Sequence, residues 1–76
     1  MNWNYRAIKK YCEEEKEYVY GIHEVYFDKD GAYKGATEKP VRMQGESIDS
    51  LKWMQERITE ALGKPILEGK DFINDE

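Results

Sequence analysis

The residues best suited to move a proton or attack a substrate are few. The sequence holds one histidine, His23, beside Glu24, and one cysteine, Cys12. A general base must reach the proton it takes, and neighbours on a strand point to opposite faces. His23 and Glu24 therefore do not form a working pair. Cys12 lies across the first hairpin near Tyr18, which leaves about five residues, on the order of 16 Å, to His23. A nucleophile and its base need hydrogen-bond contact, so His23 reads as a satisfied core or interface histidine. Asp28-Lys29-Asp30-Gly31 resembles the opening of a calcium loop, but the later ligands and the bidentate Glu are absent. It reads as a hairpin turn. Gly45-Glu46-Ser47 is a helix start, with neither a P-loop nor a nucleophile elbow around it. Glu56 and Glu60 share a helical face and look solvated. These readings leave no catalytic, metal or cofactor site and point away from an enzyme.

The elements that must position any functional surface are bounded by size. The chain has 76 residues, of which 37% are charged and 39% hydrophobic, with a net charge of −4. That suits one small domain with a thin core and no deep cleft. The acidic balance excludes the basic stripe a nucleic-acid or anionic-membrane binder needs. An aromatic content of 13% is too high for a disordered segment. No apolar run approaches the roughly 18 residues of a membrane span, and the first residues lack an apolar signal core. A lone cysteine builds no disulfide framework. The expectation is a soluble cytoplasmic protein.

Four elements follow from periodicity and punctuation. Trp3 to Cys12 alternates aromatics with charge and reads as a strand. Glu13 to Glu17 makes a solvated turn. Glu17 to Phe27, rich in Tyr, Val and Ile, is a second strand. The Asp28–Gly31 turn leads to a third over Ala32 to Lys39, which Pro40 ends. Ser47 caps a helix whose apolar stripe is Ile48, Leu51, Met54, Ile58, Ala61 and Leu62. Gly63 suits a left-handed cap, and Pro65 prevents continuation. The fold class is α+β, a three-stranded antiparallel meander with one helix on one face (β-β-β-α). Residues 1–67 are expected to form the domain, and 68–76 a polar C-terminal tail open to partial disorder.

One helix covers one face of a sheet, so the other must meet solvent, a second subunit or a partner. With Arg6 opposite Glu24, Trp3, Tyr5 and Ala7 share the helix-covered face with Val19, His23, Val25 and Phe27. The open face then carries Ile8, Tyr20, Ile22, Tyr26 and Tyr33, rimmed by Arg6, Lys10, Glu24 and Lys39. A one-residue slip exchanges the second strand's contribution to each face. Tyr offers contact area with a polar handle, as interfaces favour. Trp53 falls off the apolar stripe and reads either as an outward anchor or as a ring covered by Arg57 or the tail. The expected partner-binding residues are Tyr20, Ile22, Tyr26, Tyr33, Trp53, Arg6 and Glu24.

Trp3-Asn4-Tyr5-Arg6, Gly21-Ile22-His23-Glu24-Val25-Tyr26, Gly45-Glu46-Ser47 and Ala61-Leu62 with Lys64-Pro65 together resemble a group of small uncharacterised bacterial and phage-associated proteins. That resemblance implies context and no catalytic residues. The strands, Gly-Glu-Ser and the amphipathic helix are also similar in architecture to the partial RNase H-type domain of HicB antitoxins. There the module binds protein. This chain has Phe27-Asp28-Lys29-Asp30-Gly31 where those domains carry Pro-Asp-Leu-Pro-Gly, and no DNA-binding extension is expected from its residues.

The expected function is a non-enzymatic protein-protein interaction module or small regulator, pairing with a partner or with itself as a homodimer. It would bind neither nucleic acid nor membrane and need no cofactor. The alternative is an acidic inhibitor that mimics nucleic acid and blocks a defence or restriction complex, through Glu13, Glu14, Glu15, Glu17, Asp71, Asp75 and Glu76. Twelve basic residues interrupt the negative field such a mimic needs.

Overall fold

A computed structural model describes residues 2–72. The element order is β1 (Asn2–Cys12), β2 (Glu17–Phe27), β3 (Tyr33–Ala36), α1 (Ile48–Leu62), β4 (Leu67–Glu68) and a 3-10 turn (Gly69–Phe72). The α+β class and the single helix match the expectation. The sheet does not stop at three strands. Its order is β3-β2-β1-β4, and β4 pairs parallel to β1 through Ile8 with Leu67 and Lys9 with Glu68. It is therefore mixed rather than an antiparallel meander. Residues 68–72, expected in the tail, belong to this layer and turn, while Ile73 and the acidic end lie outside the described residues.

The two turns form for different reasons. Asp28 closes the second by accepting from the backbone N–H of Asp30 and Ala32 at 2.9 and 3.0 Å. Gly31 follows at φ +86, a conformation a side chain disfavours. In the first turn Lys16 takes φ +55 and donates its N–H to the Cys12 carbonyl at 2.8 Å. That four-residue loop pairs Cys12 with Glu17 and sets the hairpin register at Arg6↔His23, Tyr5↔Glu24 and Ala7↔Ile22. The expected Arg6–Glu24 pairing is thus off by one. The consequence is large, because every β2 side chain changes face.

One face carries Trp3, Tyr5 and Ala7 beside Tyr26, Glu24, Ile22 and Tyr20, and α1 lies on it. Trp53 of the helix packs edge-on against both Trp3 and Tyr5, ring centroids 6.4 Å apart in each case. The other face carries Asn4, Arg6, Ile8 and Lys10 beside Val25, His23 and Gly21. It is concave. The 3-10 turn packs against both β1 and β3, on opposite sides of β2, so the sheet curls around this face. Gly69 shows how closely the turn approaches: a Cβ there would stand 2.7 Å from Lys10 Cγ and 3.2 Å from the Lys9 carbonyl. Ile8 and Val25 are fully buried at the centre of the curl, at 1% and 0% exposure. This second core is what the slipped register creates.

Ser47 caps α1 as expected, its Oγ accepting from the Ser50 N–H at 3.1 Å. Gly63 does not adopt the left-handed cap. It stays right-handed at φ −86, and its N–H and that of Lys64 close short turns onto Glu60 and Ala61 at 3.1 Å. β3 is shorter than the expected strand, yet the chain beyond it still follows β2. Thr37 N–H donates to the Glu24 carbonyl at 2.9 Å, and Val41 N–H to the Ile22 carbonyl at 2.8 Å. No helix among the described residues is long and apolar enough to cross a membrane.

Candidate functional site

The seven residues expected at a partner-binding face do not share one. Arg6 was expected at a charged rim. It is instead buried in the concave core at 7% exposure, because the face expected to be open curls around the 3-10 turn and the slip brings His23 and Val25 beside Arg6 there. One guanidinium nitrogen donates to the Tyr33 hydroxyl oxygen at 2.8 Å, and another to the Pro65 carbonyl at 2.6 Å. Tyr33 thus lies with Arg6 on the concave side, away from Tyr20. Among the side chains described, those of residues 2–70, no carboxylate stands within ion-pair distance of Arg6, and none accepts from its buried Nε–H.

Tyr20, Ile22, Glu24 and Tyr26 do share a face. It is the helix side, not an uncovered one. Tyr26 donates its hydroxyl to Glu24 Oε1 at 2.8 Å, and this bond to a carboxylate, with burial and the Glu24 charge, raises the phenol's pKa. Tyr5, across from Glu24, is likewise raised by burial first and by the Glu24 charge second. Trp53 is half-exposed, held by the Trp3 and Tyr5 rings and by the Arg57 guanidinium 5.5 Å above it. The sequence raised that Arg57 contact as one of two readings for Trp53, and the geometry contains it.

The helix covers its face incompletely. A stripe from Ile48 to Leu62 is apolar, but the helix is rotated so that Ala61 alone is fully buried. Trp53 flanks the contact on one side. On the other, Leu62 and Ile48 remain 66% and 65% exposed. Between that uncovered flank, the far half of β2 and the chain after β3 lies an open groove of about 540 Å³. Ile58, Leu62, Ile22, Tyr20, Val41 and Met43 supply its apolar walls. Three different elements meet there, which the periodicity of no single one announces. The tip of the β1–β2 hairpin extends the surface: Tyr18 packs edge-on against Tyr11 at 5.2 Å, with the Lys9 ammonium 4.4 Å from its ring centre.

His23 sits beneath the wall of this groove at 2% exposure. Its Nδ1 lies 2.9 Å from the Thr37 carbonyl, which makes Nδ1 the protonated nitrogen of the neutral ring. Burial lowers the pKa of the ring, the hydrogen bond to Thr37 opposes that shift, and the charge of Lys10 adds to it. Arg6 is its direct cross-strand neighbour. The histidine thus pins the segment that becomes Pro40, Val41 and Met43. Comparison with protein families, curated proteins and solved structures finds no match to the chain.

Among the described residues no three His, Cys, Asp or Glu side chains gather where they would hold a metal ion. Cys12 stands at the far end of the hairpin, paired with Glu17 and remote from His23 along β2. The groove is lined mainly by apolar side chains, with Gln55 and Thr59 among them.

Proposed function

We propose that this chain is a non-enzymatic protein-binding module, a small regulator whose contact surface is the helix-side groove together with the Tyr-bearing arm of the hairpin. The observation that carries this reading is the rotation of α1. It leaves Leu62 and Ile48 in solvent on a domain with little apolar surface to spare, opposite Tyr20 and Met43, which are also exposed. Contiguous apolar surface of this kind marks interaction sites, and Tyr with Met is the composition interfaces favour. Tyr20 and Ile22 remain contact residues from the sequence reading. Arg6 and Tyr33 act inside the fold instead.

The test is affinity capture from the native host with the wild-type chain and with Met43→Asp/Leu62→Asp. Both positions are exposed, so the double variant keeps its circular dichroism spectrum while placing charge in the groove. A protein retained by the wild type, resistant to moderate salt and lost by the variant, fits the proposal. Equal recovery by both, or no specific protein at all, refutes it. Loss of binding in moderate salt alone would favour the acidic mimic, whose Glu13–Glu15 run is exposed at the hairpin tip.

A further inference from the structure

The ladder of β2 fixes which of its peptide groups face outward. Glu24 and Ile22 accept from Thr37 and Val41 on the side away from β1. In an antiparallel ladder these directions alternate residue by residue. The odd-numbered residues therefore bond to β1, and the even-numbered ones point out. Continuing the alternation, Tyr20 and Tyr18 present their N–H and C=O groups outward. No strand or loop pairs with them among the described residues.

β3 and β4 are protected as edges in the usual ways, while β1 meets β4 only at Ile8 and Lys9 and carries Arg6, Lys9 and Lys10 along its length. β3 has four residues and a register shift opposite Tyr26 and Phe27, and Pro40 interrupts the chain that follows it. β4 has two residues. Tyr18-Val19-Tyr20 has no proline, glycine, bulge or charge, and all three side chains are exposed. An edge of this kind is a template for another β-strand.

We propose that the strand it takes is the same segment of a second copy of this chain, paired antiparallel about a two-fold axis at Val19. The inference rests on the protein-binding reading and assigns the Tyr-bearing arm to a second copy, leaving the groove to the host protein. Self-pairing closes on itself here. Tyr18 faces Tyr20 of the second copy and Tyr20 faces its Tyr18, so every outward N–H and C=O of the segment finds a partner. Val19 meets Val19 of the second copy in the close, non-hydrogen-bonded position, with Cα atoms about 4.5 Å apart. Glu17 falls opposite a glycine, Gly21, which leaves room at each end. The tyrosines of both copies come together on the groove side, and the two sheets become one.

Sedimentation of the full chain from low micromolar to several hundred micromolar is expected to show a species of twice 9.0 kDa. Tyr20→Pro removes an outward N–H that β1 does not use, at a position where an edge strand tolerates proline. It should weaken self-association by at least about tenfold with the circular dichroism spectrum retained. Val19→Cys in a Cys12→Ser background should form a disulfide-linked dimer under mild oxidation, while Asp30→Cys in the same background should not. Should Tyr20→Pro fail to fold, the cross-linking comparison still decides.

A wild-type chain that stays monomeric overturns the inference. So does a dimer that persists in Tyr20→Pro and cross-links no faster at position 19 than at 30, since it would use another surface. A monomer whose captured host protein is lost in Tyr20→Pro also overturns self-pairing, the loss then reporting Tyr20's contact with that protein. Failure of this inference alone leaves Met43→Asp/Leu62→Asp abolishing host-protein capture. Failure of the broader reading removes that effect too.

Discussion

The guanidinium of Arg6 and the hydroxyl of Tyr33 meet at 2.8 Å across the concave face of the sheet, from strands separated by β2. With its second bond to Pro65, Arg6 ties β3 to the stretch that leaves the helix for β4. Two opposing effects follow. The bonds to a charged donor stabilise the curl, whereas burying the charge with no carboxylate within ion-pair distance among the described side chains costs desolvation energy. Truncation loses the first and leaves a void. Arg6→Ala is therefore expected to cost about 2–4 kcal/mol. A single core in a chain this short rarely supplies more than about 3–5 kcal/mol, so that variant should be largely unfolded at 37 °C. Arg6→Met fills the space and sheds the charge, and should retain more than half of the lost stability. Urea unfolding of both variants checks the order; equal destabilisation would mean the charge itself, not the packing, holds the curl.

His23 gives the fold a pH dependence with a definite sign. Its native pKa is depressed, chiefly by burial, while the unfolded chain has the ordinary value near 6.5. Between those two values the unfolded state binds more protons, so stability rises with pH there and falls on acidification. The full contribution is present above 6.5 and is lost as pH drops through the depressed native value. Protonation would place a third cation beside Arg6 and Lys10 and force the ring to leave the Thr37 segment or pull it along. The urea midpoint should therefore decline from pH 7 to pH 5, with amide exchange at Thr37 and Val41 accelerating first. His23→Gln should flatten that slope. An unchanged slope in the variant would assign the titration elsewhere.

His23 also shows where sequence and structure part company. The helix was legible from Ser47 to Leu62, because a cap and a stripe are local signals. So was the Asp28 turn, whose side chain satisfies backbone donors two and four residues on. The first hairpin was legible as a hairpin but not in register. A Glu-Lys run specifies no turn type, and Lys16 adopts a positive φ that favours glycine or asparagine. One residue of loop length then decided whether His23 faced Ala7 or Arg6. Assigning charge to the rim led to the wrong choice, since Arg6 is buried by hydrogen bonds that only the folded chain provides. β4, with two residues, has no period to read, and the groove needs three elements whose meeting depends on that register.

The aromatic cluster under α1 is expected to respond more mildly. Trp53 lies half in solvent, so its removal forfeits only part of a buried ring's contribution. Trp53→Ala should cost about 1–2 kcal/mol, below the range of about 3–5 for a fully buried aromatic. Trp53→Phe keeps the edge-on contacts with Trp3 and Tyr5 and should cost less than half as much. Tryptophan emission isolates the site: the remaining Trp3 should shift to the red in Trp53→Ala and far less in Trp53→Phe. No shift in either variant would mean the rings do not pack as described.

The rotation of α1 inverts the ranking that residue size alone would give. Leu62 is the larger side chain, yet it stands 66% exposed at the groove, while its neighbour Ala61 is 1% exposed against the sheet. Leu62→Ser removes little that is buried and should change stability by no more than about 0.5 kcal/mol. Ala61→Leu adds volume where helix and sheet already touch and should cost about 1–3 kcal/mol. The same pair separates folding from binding. Leu62→Ser should leave the thermal midpoint unchanged while reducing the binding of a hydrophobic dye to the folded chain. Ala61→Leu should lower the midpoint and raise dye binding as the core loosens. If Leu62→Ser proves the more destabilising, the helix sits with its stripe turned onto the sheet, and the groove that this flank lines does not exist in solution.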